Sequence, residues 1–231
     1  MRPVERGDWP VDNEGVRRTF SDYPEARGAL IERMGEYCSF CEGRMNASLA
    51  VEHMLPQEHH PGLSREWHNF LLACVNCNST KSAKRIRLGS YYWPDRDNTA
   101  RAFVHAADGV VTAAPSLNPQ ERRRAERTLQ LTGLDKLPPH HPRASDRRWQ
   151  HRREAWARAE EARDCLAASD TPHMRRLVIR QATALGHWSI WMTVFAADGD
   201  MRQRLIAAFT GTARACFDAA TRPVPRAGGA L

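Results

Sequence analysis

Four cysteines fall in two identically spaced pairs, Cys38-x-x-Cys41 and Cys74-x-x-Cys77. Each Cys-x-x-Cys sets two thiolates on one tight turn, and two such turns complete a tetrahedral set of the kind that holds Zn²⁺ at about 2.3 Å. With thiolate in all four positions none is left for water, so the spacing predicts a structural ion and not a catalytic one. A thioredoxin-like redox pair needs one reactive Cys-x-x-Cys in a strand–helix–strand setting; here there are two, without that setting. Cys165 and Cys216 stand alone in helical patterns and read as buried thiols.

Between the cysteine pairs lies a second group of chemistry-bearing residues. Glu52 and His53 sit side by side in "LAVEHMLP", followed by Asn69, with Asn78 directly after the last cysteine. An imidazole titrates near neutrality and can take a proton from water at working pH. Neighbours on a strand point to opposite faces, so Glu52 and His53 meet at one site only if the strand ends or bulges there; Pro56 fits such an end. Lys81, Lys84, Arg85 and Arg87 follow and form a phosphate-gripping edge. His68, and His59 with His60 in "QEHHPGLS", read as surface and solvated loop.

The elements that must position these residues are a short helix over "PEARGALIERMG", strands "LAVEHML" and "FLLAC", and a helix from near Val75 through "NCNSTKSAK". A loop, "GSYYWPDRDNTA", with exposed aromatics follows, then a hairpin in "AFVHAADGVVTAA" around Ala-Asp-Gly. Asn118-Pro119 caps the helix "QERRRAERTLQLTGL". "DKLPPHHPRA" is a linker, and Ser145 with Asp146 opens a long charged helix. Further helices cover "HMRRLVIRQATAL", "WSIWMTVFAA" and "DMRQRLIAAF". The fold class is therefore α+β: a small zinc-stabilised module, a hairpin and a mainly helical C-terminal region. The divisions are 1–36 (helical lead-in), 37–115 (motif module and hairpin), 116–222 (helical) and 223–231 (disordered tail).

The order Cys-x-x-Cys, Glu52-His53, Asn69, Cys-x-x-Cys, Asn78 resembles the HNH endonuclease family, whose fold is the ββα-metal finger. The resemblance covers about a fifth of the chain. It implies that His53 is a general base, that Asn69 pins the loop orienting that base, and that Glu52 and Asn78 offer oxygen ligands to a catalytic Mg²⁺ or Mn²⁺. It implies hydrolysis of nucleic acid, DNA ahead of RNA, to 5′-phosphate and 3′-hydroxyl ends. Glu at position 52 and Asn at 78 are the less common residues of the family pattern, which leaves the preferred ion open. "MRPVERG", "NFLLACVNCNSTK", "WPDRDNT" and "WMTVFAADGDMRQRLIAAF" further resemble bacterial anti-phage defence HNH nucleases of the Septu and retron-effector type. That resemblance implies a partner ATPase and a docking or regulatory role for the helical half.

A net charge of +7, with three Lys among 34 basic residues, favours polyanionic partners and bidentate phosphate contacts, although a G+C-rich genome also accounts for the Arg bias. No apolar run is long enough for a bilayer and the first residues lack a signal-peptide pattern, so a cytoplasmic protein without membrane contact is expected. Residues 120–165 mix signs, which reads as a solvated helical face; Trp149 and Trp156 read as packing residues on one face, and Trp188, Trp191 and Phe195 as core. The competing function is a catalytically silent zinc-knuckle module that binds nucleic acid or protein. It would need the cysteines and basic residues but not Glu52, His53, Asn69 and Asn78 together.

Overall fold

Asp22 accepts a hydrogen bond from the Tyr23 N–H and opens a 3-10 turn, Tyr23–Ala26, which runs into α1 (Arg27–Met34). Gly35, at φ 75°, ends it in backbone space that a side chain would strain. Strands β1 (Ala50–His53) and β2 (Phe70–Ala73) then pair antiparallel, with Ala50 opposite Ala73 and His53 opposite Phe70. All four β2 residues are buried. Helix α2 (Val75–Lys81) starts at once from Cys74, giving a ββα order. All three elements are shorter than the sequence segments that predict them: β1 stops at His53, β2 stops at Ala73, where Cys74 becomes the cap of α2, and α2 stops at Lys81, where Ser82 turns to φ 50°. The computed structural model describes residues 1–137 and 146–231.

The hairpin forms where "AFVHAADGVVTAA" predicts it, as β3 (Phe103–His105) and β4 (Val111–Ala113). Helix α3 (Pro119–Thr132) opens with a complete capping box: the Asn118 side chain accepts from Gln120 and Glu121, and Glu121 accepts from the Asn118 N–H. Beyond it come α4 (Arg148–Ala168), α5 (Pro172–Leu185), α6 (Trp188–Val194) and α7 (Gly199–Ala208). The C-terminal part is mostly helical, and no described helix is long and apolar enough to cross a membrane.

Several expectations are corrected. Tyr92 and Trp93 of the 89–100 segment are buried, not exposed, because the Asp97 carboxylate folds the loop back onto the Trp93 N–H and Arg124 covers the Tyr92 ring at 4.4 Å. The tail 223–231 is packed rather than disordered. Its Ala230 N–H donates to Asp97 Oδ1, its Leu231 carbonyl accepts from Asn98 and Arg226, and Leu231 enters the core. Cys216 is buried, in a 3-10 turn, whereas Cys165 is exposed on the outer face of α4. That helix buries Arg148, Arg152, Ala155, Ala159, Ala162 and Leu166; Trp149 and Trp156 flank the stripe, half-buried. Asp146 holds the Arg148 guanidinium and also accepts from the Arg148 N–H, the first of α4, so it ties down the helix start from one residue ahead of the cap position, Arg147; Ser145 and the linker from 138 onward lie outside the described residues.

Among the described residues two apolar cores result. One gathers the N-terminal segment, α1, the ββα unit, the hairpin, α3 and Leu231; the other gathers α4 to α7. Their boundary lies between α3 and α4, later than residue 116, because Ala125, Leu129 and Leu131 face the first core. Trp188, Trp191 and Phe195 fill the second, as their helical spacing predicts. The segments "MRPVERG" and "WPDRDNT" meet: Arg6 pairs with Asp95 at 3.0 Å and donates to the Phe70 carbonyl, and the Val4 N–H donates to Pro94.

The second core grips the first through the turn after Cys41. Glu42 accepts from the Ser189 N–H and hydroxyl, its carbonyl accepts from His187, and Gly43 bridges to Gly186. Burial pushes the Glu42 carboxyl up, but the Met1 ammonium at 3.3 Å, His105 and Ser189 outweigh it and bring it down to about 2. At Gly186, φ 77°, a Cβ would stand 2.4 Å from the Glu42 carbonyl oxygen. Gly186→Ala is therefore expected to cost at least about 1–3 kcal/mol for the backbone strain alone. The check is a lower denaturant midpoint; an unchanged midpoint would mean that this junction carries little of the stability.

Candidate active site

Strand β1 ends at His53, and this ending is what lets two adjacent side chains serve one place. Glu52, His53, Asn78, Lys81 and Ser82 all line an open cavity of about 280 Å³, with Tyr23, Pro56 and Glu58. His53 Nε2 lies 2.9 Å from the Ser64 carbonyl oxygen. A carbonyl only accepts, so Nε2 carries the proton and Nδ1 keeps a free lone pair. The ring is wedged edge-on between Tyr23 and Phe70, at 4.8 and 5.2 Å between centroids. Burial pushes its pKa below the ordinary imidazole value and Lys81 adds to the effect, while the Ser64 carbonyl and Asp22 oppose it; the net shift favours the neutral ring.

Asn69 ties the connecting loop at three points. Its Oδ1 accepts from the Leu55 N–H, and its Nδ2 donates to the Leu55 and Leu63 carbonyls. The loop so held also carries Ser64, the partner of His53. Asn78, on the first turns of α2, is half-buried; its side chain has no hydrogen-bond partner among the described residues. Ser82 closes α2 at φ 50°, a strained value for a residue with a Cβ, on the rim of the same cavity.

Lys81 departs from the phosphate-gripping edge. It is 1% exposed, and its Nζ donates to Glu52 Oε1 at 2.7 Å and to the His53 carbonyl oxygen at 2.5 Å. The reason is its position three residues after Asn78, on the same face of α2, which points inward. Burial drives Glu52 up and Lys81 down, and each is partly restored by the other. Lys84, Arg85 and Arg87 stay exposed beyond the end of α2, with the Lys84 ammonium on the Thr80 carbonyl. His59 is more than solvated loop, since its Nε2 donates to the Ala83 carbonyl at 2.8 Å; His68 is exposed, edge-on to Trp9. Tyr23 has no signal in the motif, because it reaches His53 from a distant segment.

The four paired cysteines are all buried, with sulfurs within 4.8 Å of one another and Cys41 to Cys74 at 3.7 Å. Zn–S bonds of about 2.3 Å in a tetrahedron place sulfurs about 3.8 Å apart, so this donor set fits zinc. From α4, Arg148 Nη1 donates to Cys77 Sγ at 3.0 Å while the same guanidinium holds Asp146 and the Thr132 and Gly133 carbonyls. At the cavity, a carboxylate and an amide oxygen are hard donors suited to Mg²⁺ or Mn²⁺, which take the rest of their ligands from water and phosphate.

No curated protein matches the chain. Residues 36–84, which hold both cysteine pairs and Glu52, His53, Asn69, Asn78 and Lys81, match the model of the HNH endonuclease family.

Proposed function

We propose that the protein is a metal-dependent HNH-type endonuclease that hydrolyses phosphodiester bonds of nucleic acid, DNA ahead of RNA. The observation that carries this reading is the convergence of His53, whose Nε2 is taken by the Ser64 carbonyl, with Glu52 and Asn78 on one open cavity. Phosphodiester hydrolysis needs a nucleophilic water, neutralisation of the phosphoryl oxygens and help for the leaving oxygen. His53 takes the proton of the attacking water at Nδ1, while its Nε2–H on Ser64 keeps the ring aimed. Asn69 fixes the loop that supplies Ser64, so its part is to orient the base. Glu52 and Asn78 hold the divalent ion, which when bound stabilises charge on the phosphoryl and leaving oxygens. Lys84, Arg85 and Arg87 meet the neighbouring phosphates. The water oxygen bonds to phosphorus as the bond to the 3′ oxygen breaks, leaving 5′-phosphate and 3′-hydroxyl ends. The zinc in the Cys38, Cys41, Cys74, Cys77 set is structural.

An anti-phage role with a partner ATPase is the biological setting of this reading, supported by the likeness of four segments, from "MRPVERG" to "WMTVFAADGDMRQRLIAAF", to defence nucleases. The α4–α7 core, seated against the turn after Cys41, is the region that such a partner would address. A second reading, a non-cleaving zinc-knuckle adaptor, is favoured by one observation: Glu52 is already paired with Lys81.

The two separate on supercoiled plasmid, linear DNA and structured RNA incubated with the zinc-loaded protein and Mg²⁺ or Mn²⁺. Divalent-dependent cleavage that Glu52→Gln removes establishes the enzyme and its substrate class. Retention of nucleic acid, equal in wild type and Glu52→Gln and without cleavage in the presence of the ATPase partner, establishes the adaptor.

A further inference from the structure

The Glu52–Lys81 pair has a consequence for how an ion enters the cavity. Wherever the shared proton sits, the two groups together contribute no net charge. They form the buried floor, with Glu52 5% exposed and Lys81 1%. An imidazole ring at His53 brings no negative charge, and Asn78 brings only a dipole. Among the described residues, the other carboxylates in reach, Glu58 on the lining and Asp22 within electrostatic reach of His53, are exposed, so water screens them. A divalent cation arriving alone thus meets oxygen donors with almost no negative charge behind them. A phosphodiester brings that charge.

We propose that Lys81 is an internal counter-ion that makes divalent-ion binding depend on the nucleic-acid phosphate. This rests on the endonuclease reading above. Lys81 holds Glu52 Oε1; the other oxygen, Oε2, takes no hydrogen bond among the described residues and is the one left for the ion. The ammonium thereby fixes which oxygen is presented and cancels the charge that would otherwise trap an ion in the empty site. Ion and nucleic acid then enter as a coupled pair, and the coupling is reciprocal by thermodynamic necessity. Lys81 is a positioning residue: it touches Glu52 and the His53 backbone and not the scissile group.

The test uses the full zinc-loaded chain at about pH 8, where unpaired carboxylates are ionised. A His53→Ala background keeps an oligonucleotide uncut, and Mn²⁺ binding is read from the electron paramagnetic resonance of the free ion. The oligonucleotide is expected to tighten Mn²⁺ binding about tenfold or more, and Mn²⁺ to tighten the oligonucleotide by the same factor. Lys81→Met is expected to tighten Mn²⁺ alone about tenfold, from the charge left unbalanced near the ion, and to shrink the coupling. Lys81→Arg should behave as Lys81 does. Glu52→Gln measures the Mn²⁺ that the oligonucleotide binds by itself, for subtraction. Equal Mn²⁺ affinity with and without oligonucleotide in the protein that keeps Lys81 overturns the proposal. So does a Lys81→Met variant whose Mn²⁺ affinity, measured without oligonucleotide, is unchanged. If Lys81→Met does not fold, the coupling in the protein that keeps Lys81 still decides. Failure of Mn²⁺ to bind in any arm removes the catalytic-ion reading itself, a different result from uncoupled binding, which removes only the role of Lys81.

Discussion

Replacing Cys77 with Ser, or stripping the metal with a strong chelator, is expected to unfold the ββα unit. The unit has two four-residue strands and a seven-residue helix, too little to bury a large core of its own. Structural zinc contributes about 10–16 kcal/mol in small zinc-binding peptides, comparable with the whole stability of a domain at about 5–15 kcal/mol. Its loss would leave four buried thiols with few partners and the Arg148 guanidinium facing Cys77 without a thiolate. The expected result is release of a single zinc equivalent together with loss of the cooperative thermal transition. A chelated protein that keeps its transition would show that packing alone holds the module.

The second large effect belongs to His53. A positioned general base contributes about 10²–10⁴ in rate, so His53→Ala should lower cleavage by that factor. The replacement also removes the bond to Ser64 and the wedge between Tyr23 and Phe70, so its melting temperature must be measured beside the rate. Added imidazole separates the two effects, because it can enter the space the side chain leaves and return part of the activity of a folded variant. Full cleavage by folded His53→Ala would remove His53 from the reaction.

The zinc set, the two strands and the capped helix at Asn118 are readable in the sequence because each depends on a local spacing. Glu52 with His53 is readable for the same reason, and Pro56 marks the strand end that lets them share a cavity. The inward turn of Lys81 is within reach too, since three residues from Asn78 means one helix face. Tyr23 is not, because its approach to His53 depends on how the N-terminal segment crosses the sheet. Tyr92, Trp93 and the tail mislead for a common reason. Loop-like composition says nothing about an Asp97 carboxylate that folds the loop inward and receives the Ala230 N–H from the other end of the chain.

Arg148 bears on where the protein can be divided. Four thiolates around a dication leave an excess of two negative charges, and α4 brings two buried guanidiniums, Arg148 on Cys77 and Arg152 within electrostatic reach of Cys41. A fragment trimmed to residues 36–84 would keep every ligand yet forfeit this neutralisation from outside its borders. The smallest self-sufficient piece therefore extends past the family boundary, at least through the start of α4.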